Sequence, residues 1–180
     1  MSTNTTRLER PRVWEYGLVA VVLAIAVFLI LQVMGGPLAP ATARDLIMPM
    51  CAMFALTATV WFLMAVVRNA VVLLGRASVA YFRDYRDANA PEEWIERPAR
   101  NFNNLMQVPT LFYVAALTTL ISGQADATQV GLAWIYVGFR LAHSIIHIAF
   151  NYVPLRFALY AGSCIVLAVM WARLAFPGSA

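Results

Sequence analysis

Along the chain, apolar residues gather into long runs interrupted at intervals by short polar connections. A helix that crosses a bilayer needs about 20 mostly apolar residues. Five stretches meet that length: Glu15–Met34, Leu46–Val67, Phe102–Ser122, Val130–Asn151 and Leu155–Phe176. The second can continue past Arg68 through Asn69–Gly75 at the membrane surface. None of them alternates apolar and polar positions in the manner of a barrel strand. In lipid every backbone polar group must be satisfied within the protein, which leaves helices as the spanning elements. The pattern therefore predicts an all-α integral membrane bundle. Residues 1–45 form a tail, a first spanning helix and an outer loop, and residues 46–180 form a four-helix membrane domain.

Polar residues inside these runs stand out. Arg140 lies in the middle of the apolar stretch from Gln129 to Asn151. An arginine near the bilayer centre costs roughly 2.5–3.5 kcal/mol on insertion scales and marks a candidate functional site. His143, His147 and Asn151 follow at spacings of three, four and four, which on a continuous helix is one stripe. A second stripe, Arg97, Arg100, Asn104 and Gln107, has spacings of three, four and three. It follows a helix-start signal in which Asn89 is the cap, Pro91 lies in the first turn and Glu92 and Glu93 come behind. The plainer reading makes Arg97 and Arg100 interfacial anchors and makes Asn104 and Gln107 hydrogen-bonding glue between helices. Two such stripes on two helices, both running inward from one face, can instead pair across a cleft. Guanidinium forks there suit a carboxylate, because the planar fork binds it bidentately.

Composition sharpens this picture. The chain is 62% hydrophobic, with a mean hydropathy of +0.70, which removes it from the soluble globular class. The net charge of +4 is carried by arginine, since all 13 basic residues are arginines. Their positions speak for topology and against nucleic acid. Arg7, Arg10 and Arg12 precede the first run. Arg68, Arg76, Arg83, Arg86, Arg97 and Arg100 fall between the second and third, and Arg156 lies between the fourth and fifth. Only Arg44 and Arg173 fall on the other side. The positive-inside bias places the N-terminus, the connection 68–101 and the 153–156 turn in the cytoplasm. Ala41-Thr42-Ala43 behind an apolar run resembles a signal-peptide cleavage site. The run Leu18–Met34 exceeds the roughly 7–15 residues of such a peptide, which favours a retained helix.

His143 and His147 are also four apart, a metal-ligand spacing, so a metal or haem site has to be weighed. Arg140 one turn away disfavours a second cation, and the spans hold almost no carboxylate, so no metal is assigned. A structural histidine pair is the simpler alternative. Cys51 and Cys164 sit inside spans, form no pair by spacing, and read as small core residues.

Glu96-Arg97-Pro98-Ala99-Arg100, followed by Asn104-Leu105-Met106-Gln107-Val108-Pro109, resembles the second-helix signature of the MAPEG family, the membrane-associated proteins in eicosanoid and glutathione metabolism. Arg140, His143 and His147, with Arg156 nine residues after His147, are similar to the family's third helix and following turn. Thr110-Leu111-Phe112-Tyr113 and Arg156-Phe157 resemble bacterial members, which implies a bacterial inner membrane. The resemblance covers Leu46 to Phe176. It implies a homotrimer of four-helix subunits that holds glutathione near the cytoplasmic side and acts on lipophilic substrates by conjugation or peroxide reduction. By position, Arg100, Asn104 and Gln107 would contact glutathione, with Arg97 at the mouth. Arg140, His143 and His147 would complete the set, and Arg68 is a looser member. Arg156 matches the arginine that stabilises the thiolate, and His147 or Tyr152 would assist or hydrogen-bond. Three departures stand out: Gln107 replaces a glutamate, His147 replaces a tyrosine, and Glu15–Met34 is an additional helix. The alternative is a non-catalytic membrane protein that binds an anionic lipid, metabolite or partner through the same arginines.

Overall fold

The computed structural model describes residues 12–36, 39–84 and 92–176, and all regular structure among them is helical. In chain order the helices are α1 Val13–Met34, α2 Ala43–Leu73, α3 Val79–Asp84, α4 Glu93–Leu105, α5 Val108–Ile121, α6 Ala127–Ala149 and α7 Val153–Ala175. Five segments are long and apolar enough to span a membrane, with α4 and α5 counted together as Glu93–Ile121. The expected all-α integral membrane bundle is thus the observed fold. This is a multi-pass membrane protein.

Local chemistry sets the boundaries. Thr42 caps α2 through a reciprocal arrangement in which Asp45 accepts from the Thr42 backbone N–H at 2.8 Å. Asp126 caps α6 by accepting from the Gln129 N–H at 2.7 Å. α2 runs on to Leu73, so the second run does extend past Arg68. Its C-terminal turn is closed by Gly75, whose φ of +67° suits a residue without a Cβ. The Asn89 cap and Pro91 lie outside the described residues, and α4 is entered through Glu92.

One expectation needs correction. The run Phe102–Ser122 is not a continuous helix, because α4 stops at Leu105 and α5 starts at Val108. Pro109 has no N–H to give the Leu105 carbonyl, and its ring crowds that oxygen, so the chain turns at Met106–Gln107.

α6 is the central element. It packs against α1, α2, α4 and α7, and the stacked rings of Phe112 and Tyr136, 4.5 Å apart, join α5 to it. α1 lies along α7 and α6 through Val22, Ala26 and Ile30, which recur every fourth residue and are buried. At the end of the bundle away from most arginines, the Ala127 N–H donates to the Ala39 carbonyl and Arg173 pairs with Asp126 at 2.7 Å. The other end gathers Arg12, Arg68, Arg97, Arg100 and Arg156 with Glu15, Glu93 and Glu96. The candidate site lies there.

Candidate functional site

The turn between α4 and α5 creates the central contact of the site. A continuous helix would engage the Asn104 carbonyl with the N–H four residues on. Here it accepts from the Gln107 N–H at 3.4 Å and remains open to a second donor. Arg140 Nη2 takes that place, donating to the Asn104 carbonyl at 2.9 Å and to its Oδ1 at 2.5 Å. Arg140 is 0% exposed. Its guanidinium also lies over the Tyr160 ring, 5.5 Å from the centroid. Among the described residues its Nε and Nη1 have no hydrogen-bond partner and no carboxylate pairs with it. A buried cation without a counter-ion is costly. Its two idle nitrogens therefore have capacity for an anionic acceptor.

Beside it, His143 Nδ1 lies 2.9 Å from the Arg156 carbonyl oxygen. A carbonyl cannot donate, so Nδ1 carries the hydrogen, and in the neutral ring Nε2 is an acceptor. That Nε2 is buried and has no hydrogen-bond partner among the described residues. His147 packs edge-on to His143 at 5.5 Å. A cavity of about 190 Å³ opens here, lined by Asn104, His143, Val153, Arg156, Phe157 and Tyr160. Arg140 stands behind the Asn104–Tyr160 wall.

The α6–α7 turn frames the cavity. Asn151 adopts a left-handed φ of +50°, a conformation that asparagine tolerates better than most residues. Its side chain accepts from Arg156 Nη1 and donates to Glu93 on α4. Arg97 completes the seam, donating to the Ala149 carbonyl at 3.2 Å and pairing with Glu93 at 3.7 Å. Three segments of chain are thus joined around Arg156. Outside the spans, loss of solvation and the hydrogen bond to Glu15 raise the Tyr152 hydroxyl above its ordinary range, which keeps it a donor.

A family model described as the MAPEG family matches residues 46–176. The chain belongs to the MAPEG family. No curated protein and no solved structure matches it beyond chance. The matched segment takes in α2 from its second turn and every later helix described here, and leaves α1 outside.

The MAPEG fold brings together only part of the residue set expected from spacing. Asn104, His143 and Arg156 line the cavity, with Arg140 behind Asn104, His147 one turn from His143, and Arg97 on the seam between α4 and the end of α6. Arg68 does not join them. It pairs with the buried Glu96 at 3.8 Å and lies over Phe82 of α3, so it ties α2 to α3 and α4. Arg100 and Gln107 are exposed and do not line the cavity. Gln107 leaves the expected stripe because it follows the end of α4. Asn151 leaves the other stripe because α6 ends at Ala149. Sequence reasoning overlooked Tyr160, Glu93 and the burial of Glu96. The first two carried a signal, since Arg156–Tyr160 and Glu93–Arg97 are each one helical turn apart.

Proposed function

We propose that this MAPEG protein binds glutathione, or a related small thiol, and transfers it to lipophilic electrophiles or uses it to reduce lipophilic peroxides. The observation that carries this reading is Arg140, fully buried, uncompensated by any described carboxylate, and set behind a cavity that also holds Arg156 and the His143 acceptor. A carboxylate of the thiol peptide would supply the missing counter-charge. Arg156 would favour the thiolate, which is the nucleophile. In conjugation, sulfur forms a bond to the electrophilic carbon and the leaving group departs with its electron pair. The thiol proton passes to His143 Nε2 or to water. In peroxide reduction, two thiols supply two electrons and yield a disulfide, an alcohol and water. Exposed Phe157 and Val153 at the cavity edge offer the apolar substrate a route from the bilayer.

In this reading the arginine-rich end faces the cytoplasm of a bacterial inner membrane, following the positive-inside bias. The protein assembles as a homotrimer. Arg100 and Gln107, turned outward from one chain, then contact glutathione bound against a neighbouring subunit.

The test is titration calorimetry of detergent-solubilised protein with glutathione, alongside Arg156→Ala and Arg100→Ala. Wild-type protein binds, and each variant weakens binding about tenfold, the scale of one charge-assisted hydrogen bond. A folded wild type that gives no heat with any thiol but binds anionic lipid would favour the non-catalytic alternative through the same arginines.

A further inference from the structure

α1 lies outside the family-matched segment, yet it is anchored at both ends. Towards its C-terminal end, Val33 packs so closely on Gly131 of α6 that a Cβ there would sit 2.7 Å from Val33 Cγ1. At its N-terminal end, Glu15 divides its two oxygens between two tasks. Oε2 accepts from the Arg12 backbone N–H at 2.9 Å and so caps α1. Oε1 accepts from the Tyr152 hydroxyl at 3.1 Å, across 137 residues of sequence. Trp14 stacks on the Tyr152 ring at 6.0 Å with the planes 10° apart. Tyr152 is the N-cap of α7 and directly follows left-handed Asn151, whose side chain holds Arg156. Tyr152 is therefore the point at which α1 grips the turn that aims the arginine.

We propose that α1 is a built-in positioning strut in which Glu15 and Trp14 hold Tyr152, and through it the Asn151 turn, so that Arg156 stays directed at the cavity. The structural part of this inference stands on these contacts alone; its effect on a thiol rests on the function proposed above. Glu15 and Tyr152 are positioning residues, since neither lines the cavity. A turn released from α1 lets Arg156 sample orientations away from the ligand sulfur. That weakens its hold on the thiolate more than its contribution to overall affinity.

The experiment uses full-length protein in detergent and compares Tyr152→Phe, Glu15→Ala and Glu15→Gln, with Tyr16→Phe on the exposed side of α1 as control. Tyr152→Phe keeps the ring stack and removes only the hydroxyl. Glu15→Gln keeps one oxygen to accept from the Arg12 N–H and offers an amide N–H to the Tyr152 hydroxyl oxygen, and so rescues what Glu15→Ala loses. Two readouts are taken: hydrogen exchange of the 150–156 backbone, and the pH midpoint at which bound glutathione becomes thiolate by ultraviolet absorption. Tyr152→Phe and Glu15→Ala raise exchange in 150–156 and move the midpoint up by about half a pH unit, with affinity changed less than roughly threefold. Glu15→Gln and Tyr16→Phe stay near wild type. Unchanged exchange and an unchanged midpoint in Tyr152→Phe and Glu15→Ala overturn the strut. Faster exchange in Tyr152→Phe and Glu15→Ala, when the wild-type protein binds no thiol, upholds the strut and removes the thiol reading instead.

Discussion

Arg140 shows how one residue type is placed for a task that its surroundings do not complete. A guanidinium offers five donors. Here one nitrogen serves Asn104, the plane rests on Tyr160, and two nitrogens remain without partners in a fully buried setting. Supplying the missing negative charge within the chain tests this account. Asn104→Asp places a carboxylate where Oδ1 now lies 2.5 Å from Arg140 Nη2. The variant is expected to melt higher than wild type, because an isolated buried charge gains a partner. It is also expected to bind glutathione at least about tenfold more weakly, because the internal carboxylate competes for the same fork. Thermal unfolding and calorimetry on the same preparation measure both. A lower melting point together with undiminished binding would show that Arg140 does not await an anion.

Among the elements, the break between α4 and α5 matters most. A lipid-embedded helix tolerates proline only where other groups take over the freed carbonyls. Arg140 does so here, one residue before the carbonyl that Pro109 orphans. Pro109→Ala returns an N–H to the Leu105 carbonyl and lets Val108 reclaim the Asn104 oxygen. Pro109 stands in the first turn of α5, where proline is tolerated, so the alanine variant is expected to gain helicity across the break with little change in melting point. Glutathione binding falls roughly tenfold in the same variant as Arg140 loses its acceptor. Far-ultraviolet circular dichroism, melting and calorimetry together decide this. Equal binding in a straightened helix would detach the break from function. The break was half legible: Pro109 is plain in the sequence, but the apolar run continues through it, and hydropathy does not register a missing N–H.

For the molecule as a whole, the gathering of arginines at one end makes a prediction about orientation. With Cys51 and Cys164 replaced by alanine, Ala80→Cys lies at the arginine-rich end and Ser122→Cys at the other. A membrane-impermeant maleimide added to intact spheroplasts is expected to label Ser122→Cys and to spare Ala80→Cys until the membrane is opened. The reverse pattern would invert the topology and move the cavity to the outer face. Assembly is read on the same material, since cross-linking should stop at three subunits. α1 packs over α6 and α7, outside the matched segment.

Much of this was written in the linear chain. The number of spans, their approximate ends and the clustering of arginines at one end follow from short stretches read one at a time. Lipid acts on each span separately and forces it to be helical. The family motif likewise lies in contiguous residues around Glu96–Pro109 and Arg140–Arg156. Periodicity also states which residues share a face of one helix, and Arg140, His143 and His147 do share one. It cannot state how far the helix continues or which neighbour that face meets. Asn151 left its stripe because α6 ended two residues earlier. Gln107 left the other because α4 broke. Arg68 turned to Glu96, and Glu15 reached Tyr152 across 137 residues. Helix rotation and the identity of neighbours are settled by packing between distant segments, and no local pattern encodes them. For that reason the helices can be read from the chain, whereas the cavity exists only once they are packed.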